Sequence, residues 1–273
     1  MGSTRWPCTT IAVVPGSTAG LLAAWATAFL QQRVPIDDVI EHVLGHKTSV
    51  VRQDGARPAA APWDDPVTGE TLIAPGESQT LSEFLITVRD RGVARLHAAF
   101  PIAGDAGGVG PGPALAPAYD AGSAVLLDEL GLVLVASQET DDVIELTLFT
   151  STSRVQYVSV SEAALELTEA IHRSTSILTD LDVASWDSRL GRVSRSALDD
   201  VGAYPLPADC PPRASHLLVR AHQLALLLVA AAADPGGGSV SGHEAAARDS
   251  ALAPLRRHIA RALSAAYNSL PYN

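Results

Sequence analysis

The sequence predicts an α+β protein in which a small, mainly antiparallel sheet packs against a helical layer, with an N-terminal helical hairpin and long C-terminal helices. Apolar residues recur at helical spacing near the N-terminus and again after residue 159, which predicts helices there. Short apolar runs between residues 124 and 150 follow one another without an intervening helix, which favours antiparallel strands. With 47% hydrophobic and 18% charged residues, the composition is that of a core-forming protein and excludes a disordered chain.

Residues 1–52 are predicted to form the helical hairpin. Its first helix is expected to run from about Thr18 to near Arg33. Pro35 then opens a second, shorter helix, and Gly45 is suited to end it because glycine tolerates the left-handed backbone of a helix C-terminus. The apolar residues that mark the first helix are Leu22, Trp25 and Phe29.

Residues 53–79 are rich in proline and lack periodicity, so they are predicted to form a loop. Residues 80–158 follow as an α/β segment, in which Thr80 and Glu83 fit a capping box at the start of a helix. Strands are expected at residues 93–100, 124–127, 132–136, 143–150 and 154–158.

Residues 159–273 are predicted to be helical and to form one compact unit with the α/β segment. The expected helices cover residues 161–181, 212–233 and 242–268. In the first of them, Leu165 is expected on the apolar face. The second is apolar almost all round after Leu224, which indicates a central, buried helix. The buried seam of the last helix is predicted to contain Leu252, Leu255, Ile259 and Leu263.

The net charge of −11 argues against a nucleic-acid partner, because an acidic surface repels phosphates. The one dense basic patch, residues 256–261, is interpreted as a solvated helix face.

Two cysteines fit a reducing compartment, and no run is apolar enough for a membrane span, so a cytoplasmic protein without a membrane partner is expected. Whether residues 1–28 are a cleaved signal stays open, although Pro15 and Gly16 interrupt their apolar run.

A glycine-rich segment, residues 104–112, follows a predicted strand. Gly107, Gly108 and Gly110 are candidates for holding a phosphate, because glycines let backbone N–H groups approach a ligand closely. However, the spacing is not that of a nucleotide-binding loop, and Pro111 removes a donor. The segment is therefore expected to be a flexible surface loop, and no cofactor is predicted.

The second long helix carries the other candidate ligand-binding residues, His216, Arg220 and His222. His222 lies among leucines, so its charged form is expected to be disfavoured by burial. Arg220 and His216 belong to a polar stripe that would bind an anion if it lined a cleft. No metal site is predicted, because Gly45 should end the helix between the paired His42 and His46.

No catalytic motif is present in the sequence, and no catalytic residue is assigned, so whether the protein is an enzyme stays open. The first hypothesis is a non-catalytic, protein-binding adaptor or regulatory protein. Arginine replaces lysine everywhere except at Lys47, which indicates a high-GC bacterium. The alternative is a small-molecule-binding protein or enzyme, with its site between residues 104–112 and the helix of Arg220 and His222. The sequence does not indicate the oligomeric state.

Overall fold

The computed structural model describes residues 18–54, 72–73, 76–140, 142–180, 205–233 and 242–271. Its helices are α1 (Thr18–Leu30), α2 (Ile36–Leu44), α3 (Leu81–Asp90), α4 (Leu115–Ala121), α5 (Val160–Asp180), α6 (Pro212–Ala233) and α7 (Gly242–Tyr267). Its strands are β1 (Thr48–Gln53), β2 (Ser78–Gln79), β3 (His97–Ala99), β4 (Ala124–Leu127), β5 (Leu132–Glu139) and β6 (Val143–Thr150). The predicted α+β class, the helical hairpin and the long C-terminal helices are confirmed.

The sheet has the strand order β2-β1-β6-β5-β4-β3. All neighbouring strands are antiparallel except β1 and β6, which run parallel. Strand β1 was not predicted, since it lies within the range assigned to the hairpin. Only Val51 of its six residues is fully buried, so its sequence lacks the apolar run by which a central strand is normally detected.

Local sequence patterns correctly predicted the start of α3 and the end of α2. The capping box at the start of α3 is present, because the Thr80 N–H donates to Glu83 Oε2 at 2.8 Å and the Glu83 N–H donates to Thr80 Oγ1 at 3.3 Å. Gly45 follows α2 with a φ of 58°, as expected for a residue that ends a helix.

The central helix of the fold is α1, not α6 as predicted. Every residue of α1 is buried, and the helix packs against α2, α7 and strands β3 and β4. On α6, Leu224, Leu226 and Val229 remain partly exposed. The alanines of α1 let several elements approach this helix closely. In α6, more apolar residues are present than the neighbouring elements bury.

The C-terminal helices pack on one another, with α7 in contact with both α5 and α6. All four residues of the predicted α7 seam are buried. The prediction for α5 is wrong at Leu165, which is 62% exposed. The buried face of α5 is formed instead by Leu167, which is fully buried, and by the small residues Ala163 and Ala170.

Strand β3 is an edge strand, and side chains from two helices complete its hydrogen bonding. The Thr27 hydroxyl of α1 both donates to Leu96 O and accepts from Leu96 N, each at 3.0 Å. The Asn268 side chain accepts from Ala98 N at 2.7 Å and donates to Ala98 O at 3.0 Å. These contacts cover an edge that would otherwise expose unpaired backbone groups. Strand β3 pairs with β4 only over His97–Ala99, so it is shorter than the predicted strand at residues 93–100.

The sheet is covered on both faces. Alternating residues of β4 and β5 divide between two apolar clusters, with Val125 and Leu134 facing the large helical core and Leu126 and Val133 facing the other side. The second cluster is completed by α4 and by Val109 of the glycine-rich segment.

The glycine-rich segment is only partly exposed, since Val109 and Gly110 are buried, whereas Gly104, Pro111 and Gly112 are exposed as expected of a surface loop. The Arg154 N–H donates to Gly108 O at 2.9 Å. The range around Arg154 pairs with this segment in an irregular conformation and does not form the expected strand at residues 154–158.

Replacing Gly108 by alanine should destabilise the fold by about 2 kcal/mol, because an added Cβ is both strained and crowded there. The φ of Gly108 is 96°, and its Cβ would lie 2.6 Å from the backbone oxygen of Arg154. Gly104→Ala is the matched control, because its φ is 83° but the nearest atom to its Cβ is 3.7 Å away. Urea unfolding measures both variants, and equal losses would contradict the role assigned to close packing.

Candidate functional site

A groove opens to solvent where the glycine-rich segment, β3, residues 155–158 and α7 meet. It contains about 610 Å³ of empty space, including its open mouth. The enclosed part of this space is only about 40 Å³, well below the roughly 300–1,000 Å³ of typical small-molecule sites, so the groove is a shallow surface depression. Its position depends on the sheet edge described above, because Asn268 fixes the end of α7 beside β3.

The apolar part of the groove is formed by Phe100, Val155, Tyr157 and Val158, together with small residues of α7. Phe100 is almost fully buried, and its ring stacks on Tyr267 with centroids 5.9 Å apart. Tyr157 is 79% exposed and stands at the rim. One aromatic ring therefore belongs to the interior of the protein and another is free to contact a ligand.

Two arginines border the groove, but their environments differ. Arg95 is 4% exposed and donates to Asn268 O and Leu270 O, so its guanidinium stabilises the carbonyl end of α7. Arg261 is on α7 itself and is partly exposed, with its Nε 3.4 Å from Glu166 Oε2 of α5. Arg261 is the better placed of the two to bind an anion at the groove.

The basic patch of α7 is thus not simply a solvated face, as had been interpreted from the sequence. Arg257 is exposed, but His258 and Arg261 are partly buried beside Glu166. The His258 Nδ1 lies 3.6 Å from Glu166 Oε2, the same oxygen that Arg261 approaches. Part of the patch therefore joins α5 to α7.

His97 lines the groove from β3, and its side chain is paired with Asp128, which lies in a short 3-10 turn after β4. Nδ1 of the imidazole and Oδ1 of the carboxylate are 3.2 Å apart. The hydrogen bond from His97 lowers the pKa of Asp128, which keeps this carboxyl ionised. The pair holds an oriented imidazole at the edge of the groove.

A second carboxylate belongs to the glycine-rich segment. Asp105 lines the groove, and its Oδ1 accepts a hydrogen bond of 2.9 Å from Gly107 N. Gly107 lines the groove as well, with a φ of 61°. A Cβ at this position would lie 3.2 Å from backbone atoms of Phe100 and Pro101, so the glycine permits a close approach of two chain segments.

The structure separates the residues that the sequence grouped as a candidate site. Gly107 lines the groove, whereas Gly108 and Gly110 pack against the backbone of residues 152–154. His216 and Arg220 are exposed on α6, and Arg220 donates to Thr168 Oγ1 at 3.1 Å. None of the α6 residues lines the groove, which adjoins α7 instead.

His222 is fully buried between α6 and α7. Its Nε2 is 3.0 Å from the Tyr267 hydroxyl, and the two rings meet edge to face with centroids 6.0 Å apart. Burial lowers the pKa of His222 from 6.5 to about 4, as the sequence indicated in direction. His222 therefore lies behind the wall of the groove, reached through Tyr267 and Phe100.

Sequence reasoning missed the residues that do converge on the groove. Arg95, His97 and Asn268 line it, and Asp128 contacts His97 from outside the lining; these residues are spread over more than 170 positions and belong to no local motif. The available signal was weak, since His97 interrupts an otherwise apolar run before Phe100. An ordinary core histidine produces the same pattern.

The part of the chain that the structure describes contains no group of three or more histidine, cysteine, aspartate or glutamate residues that could hold a metal ion. His42 instead stacks on Trp25 with centroids 3.7 Å apart.

Cys210 is a free, buried thiol whose pKa is raised by burial, and Cys8 lies outside the described residues. Among the described helices none is sufficiently long and apolar to cross a membrane.

Comparison with known families gives two adjoining matches that together cover most of the chain. The model of the N-terminal domain of the Rv1486c-like protein matches residues 19–161, and that of its C-terminal domain matches residues 161–264. No curated protein and no solved structure matches the chain significantly. The chain belongs to the Rv1486c-like protein family.

Proposed function

We propose that this protein binds a small organic anion in the groove between the glycine-rich segment and α7. The observation that carries the proposal is the convergence of Arg261, His97 and Asp105 with Phe100 and Tyr157 on one concave surface. These residues come from separate parts of the chain, and a mainly apolar pocket with a few convergent polar groups is the usual form of a ligand site.

The groove favours a ligand with one anionic group and a planar apolar body. Arg261 supplies a guanidinium that is not fully buried, and a guanidinium matches the geometry of a carboxylate or phosphate. The exposed ring of Tyr157 offers a flat apolar contact beside it. Asp105 on the opposite side would disfavour ligands of high negative charge.

The second sequence hypothesis is thereby retained in altered form. The proposed ligand still contacts the glycine-rich segment, through Gly107 and Asp105, but the helix on the other side of the groove is α7. Arg220 and His222 of α6 have no direct role in this proposal. His222 supports the wall of the groove through its contact with Tyr267.

Titration with phenyl phosphate and benzoate tests the proposal, because each combines an aromatic ring with an anion. We expect saturable binding by calorimetry to the wild-type protein, and Arg261→Gln should weaken it about tenfold or more, as expected for loss of a charge-assisted contact. Arg173→Gln is the matched control, because Arg173 is exposed on α5 and donates to the Glu169 carbonyl of its own helix, away from the groove. No binding, or equal weakening in both variants, would contradict the proposal.

A protein-binding role, the first sequence hypothesis, has a separate observation in its favour. Tyr157 and Leu165 are large apolar residues that remain 79% and 62% exposed around the start of α5. Exposed aromatic and aliphatic side chains are typical anchors of protein interfaces. We propose this role second, and place both roles in the cytoplasm, since Cys210 is a free thiol.

Capture from a lysate of the native organism distinguishes this second role. A partner with defined stoichiometry should be retained by the wild-type protein and lost from the double variant Tyr157→Ser, Leu165→Ser. Ile86→Ser is the control, since Ile86 is an exposed apolar residue on α3. Retention of the same partner by all variants would exclude this surface as the binding site.

A further inference from the structure

His97 lines the groove and Asp128 contacts it from outside the groove lining, and the role inferred for this pair rests on the function proposed above. The Nδ1 of His97 carries the contact with Asp128, at 3.2 Å. Among the described residues that leaves Nε2 as the ring nitrogen available to a groove ligand. We propose that His97 is the proton acceptor of this groove, with Asp128 as its positioning residue, and that the ligand is an organic acid such as a carboxylic acid or phosphate monoester.

The geometry of the pair favours one tautomer. An ionised carboxylate is a hydrogen-bond acceptor only, so Asp128 requires a proton on Nδ1 of the neutral imidazole. The lone pair is then on Nε2. A carboxylate that holds an imidazole in this way also stabilises the imidazolium formed when Nε2 takes up a proton, without itself becoming protonated.

The two side chains of the pair differ in exposure. The His97 side chain is 10% exposed and is therefore held in place, whereas the Asp128 side chain is 36% exposed, so water can solvate its charge. The ring is among the residues that line the groove. The charged or titratable groups that face the same groove from neighbouring elements are Arg95, Asp105, Tyr157 and Arg261.

The proton balance of the proposed step is simple. When the ligand enters as an acid, its O–H bond breaks, the proton bonds to His97 Nε2, and the electron pair stays on the ligand oxygen. When the ligand enters as the anion, the proton comes from solvent and the same complex results. In both cases the product is an anion beside an imidazolium and the Arg261 guanidinium, which together favour negative charge in the groove.

Nitrogen NMR of the full protein tests the tautomer without any ligand. At a pH where the imidazole is neutral, the shifts of His97 should identify Nδ1 as protonated and Nε2 as unprotonated. Asp128→Asn should populate the opposite tautomer, because an asparagine can donate its N–H to Nδ1. His216, exposed on α6, is the internal control whose tautomer should not change. A wild-type His97 with the proton on Nε2 overturns the inference.

Calorimetry with phenyl phosphate in two buffers of different ionisation heat then counts the protons taken up on binding. We expect uptake of up to one proton per molecule bound at neutral pH, and none for His97→Gln. Binding that depends on Arg261 but takes up no proton would overturn the role of His97 and leave the proposed function standing. Failure of the probe to bind the groove at all would overturn both.

Discussion

Replacing Gly20 by valine is expected to destabilise the protein by about 4 kcal/mol, near the upper end of single-site effects. A Cβ at Gly20 would lie 2.3 Å from the nearest ring carbon of Tyr267, and two further ring atoms are within 2.6 Å. Every residue of α1 is buried and the Tyr267 side chain is 1% exposed, so the ring has little room to move away from the added atoms. Steric overlap therefore outweighs the roughly 0.4 kcal/mol by which valine is preferred to glycine in a helix.

Denaturant unfolding combined with a double-mutant cycle checks this prediction. Tyr267→Ala should itself be destabilising, because it removes a fully buried ring. In that background Gly20→Val should cost much less than in the wild type, since the atoms it overlaps are gone. If the two losses simply add, the overlap between Gly20 and Tyr267 does not determine the stability of this helix contact.

Acidification is expected to remove about 3 kcal/mol of stability through His222 alone. Its pKa is about 4 in the folded protein and 6.5 when burial is absent, and each unit of difference corresponds to about 1.4 kcal/mol. Between these values the unfolded chain binds the proton and the folded chain does not. The stabilising contribution is therefore complete above pH 6.5, declines as the pH falls and is lost below about pH 4.

The contribution of His222 is isolated by measuring the free energy of unfolding of the wild type and of His222→Gln between pH 7 and pH 4. Glutamine keeps a polar group near the Tyr267 hydroxyl but does not titrate, so the variant should lose stability less steeply with acid. His216→Gln should behave as the wild type, because His216 is exposed. Parallel pH profiles of the wild type and His222→Gln would show that burial does not suppress protonation of His222.

Local patterns predicted most of the helices and the hairpin formed by β5 and β6. The boundaries of α6 and β6 were predicted correctly, because apolar periodicity and a Thr140 turn mark them in the sequence. The predicted loop at residues 53–79 lies largely outside the described residues, and so do residues 1–28, for which a cleaved signal was left open. The elements predicted correctly are those in which the backbone hydrogen bonds are made between residues close together in the sequence.

The errors share one physical cause, which is that tertiary contacts decided the outcome. The outer edge of β3 and the residue before it are hydrogen-bonded by Thr27 and Asn268, which are distant in the sequence. Gly108, which the sequence suggested could approach a phosphate, instead lies in close contact with the backbone of Arg154. Periodicity cannot reveal which of two apolar helices will be central, and here α1 takes the place expected of α6.

The groove could not be predicted for the same reason. Its polar residues are brought together by β3, a 3-10 turn and α7, and each of them alone resembles a structural residue. The candidate site inferred from the sequence combined the glycine-rich segment with Arg220 and His222 of α6, whereas the groove joins that segment to α7. The site that the structure supports requires side chains that are separated along the chain and share one end of a sheet.

Amide NMR mapping with phenyl phosphate tests the central claim, that the groove beside α7 is the ligand site. The account predicts saturable shifts concentrated at Gly107, Tyr157 and Arg261, which disappear in Arg261→Gln. The exposed face of α6 around His216 and Arg220 should be unaffected. Shifts confined to α6, or none at probe concentrations in the millimolar range, would contradict a binding role for this groove.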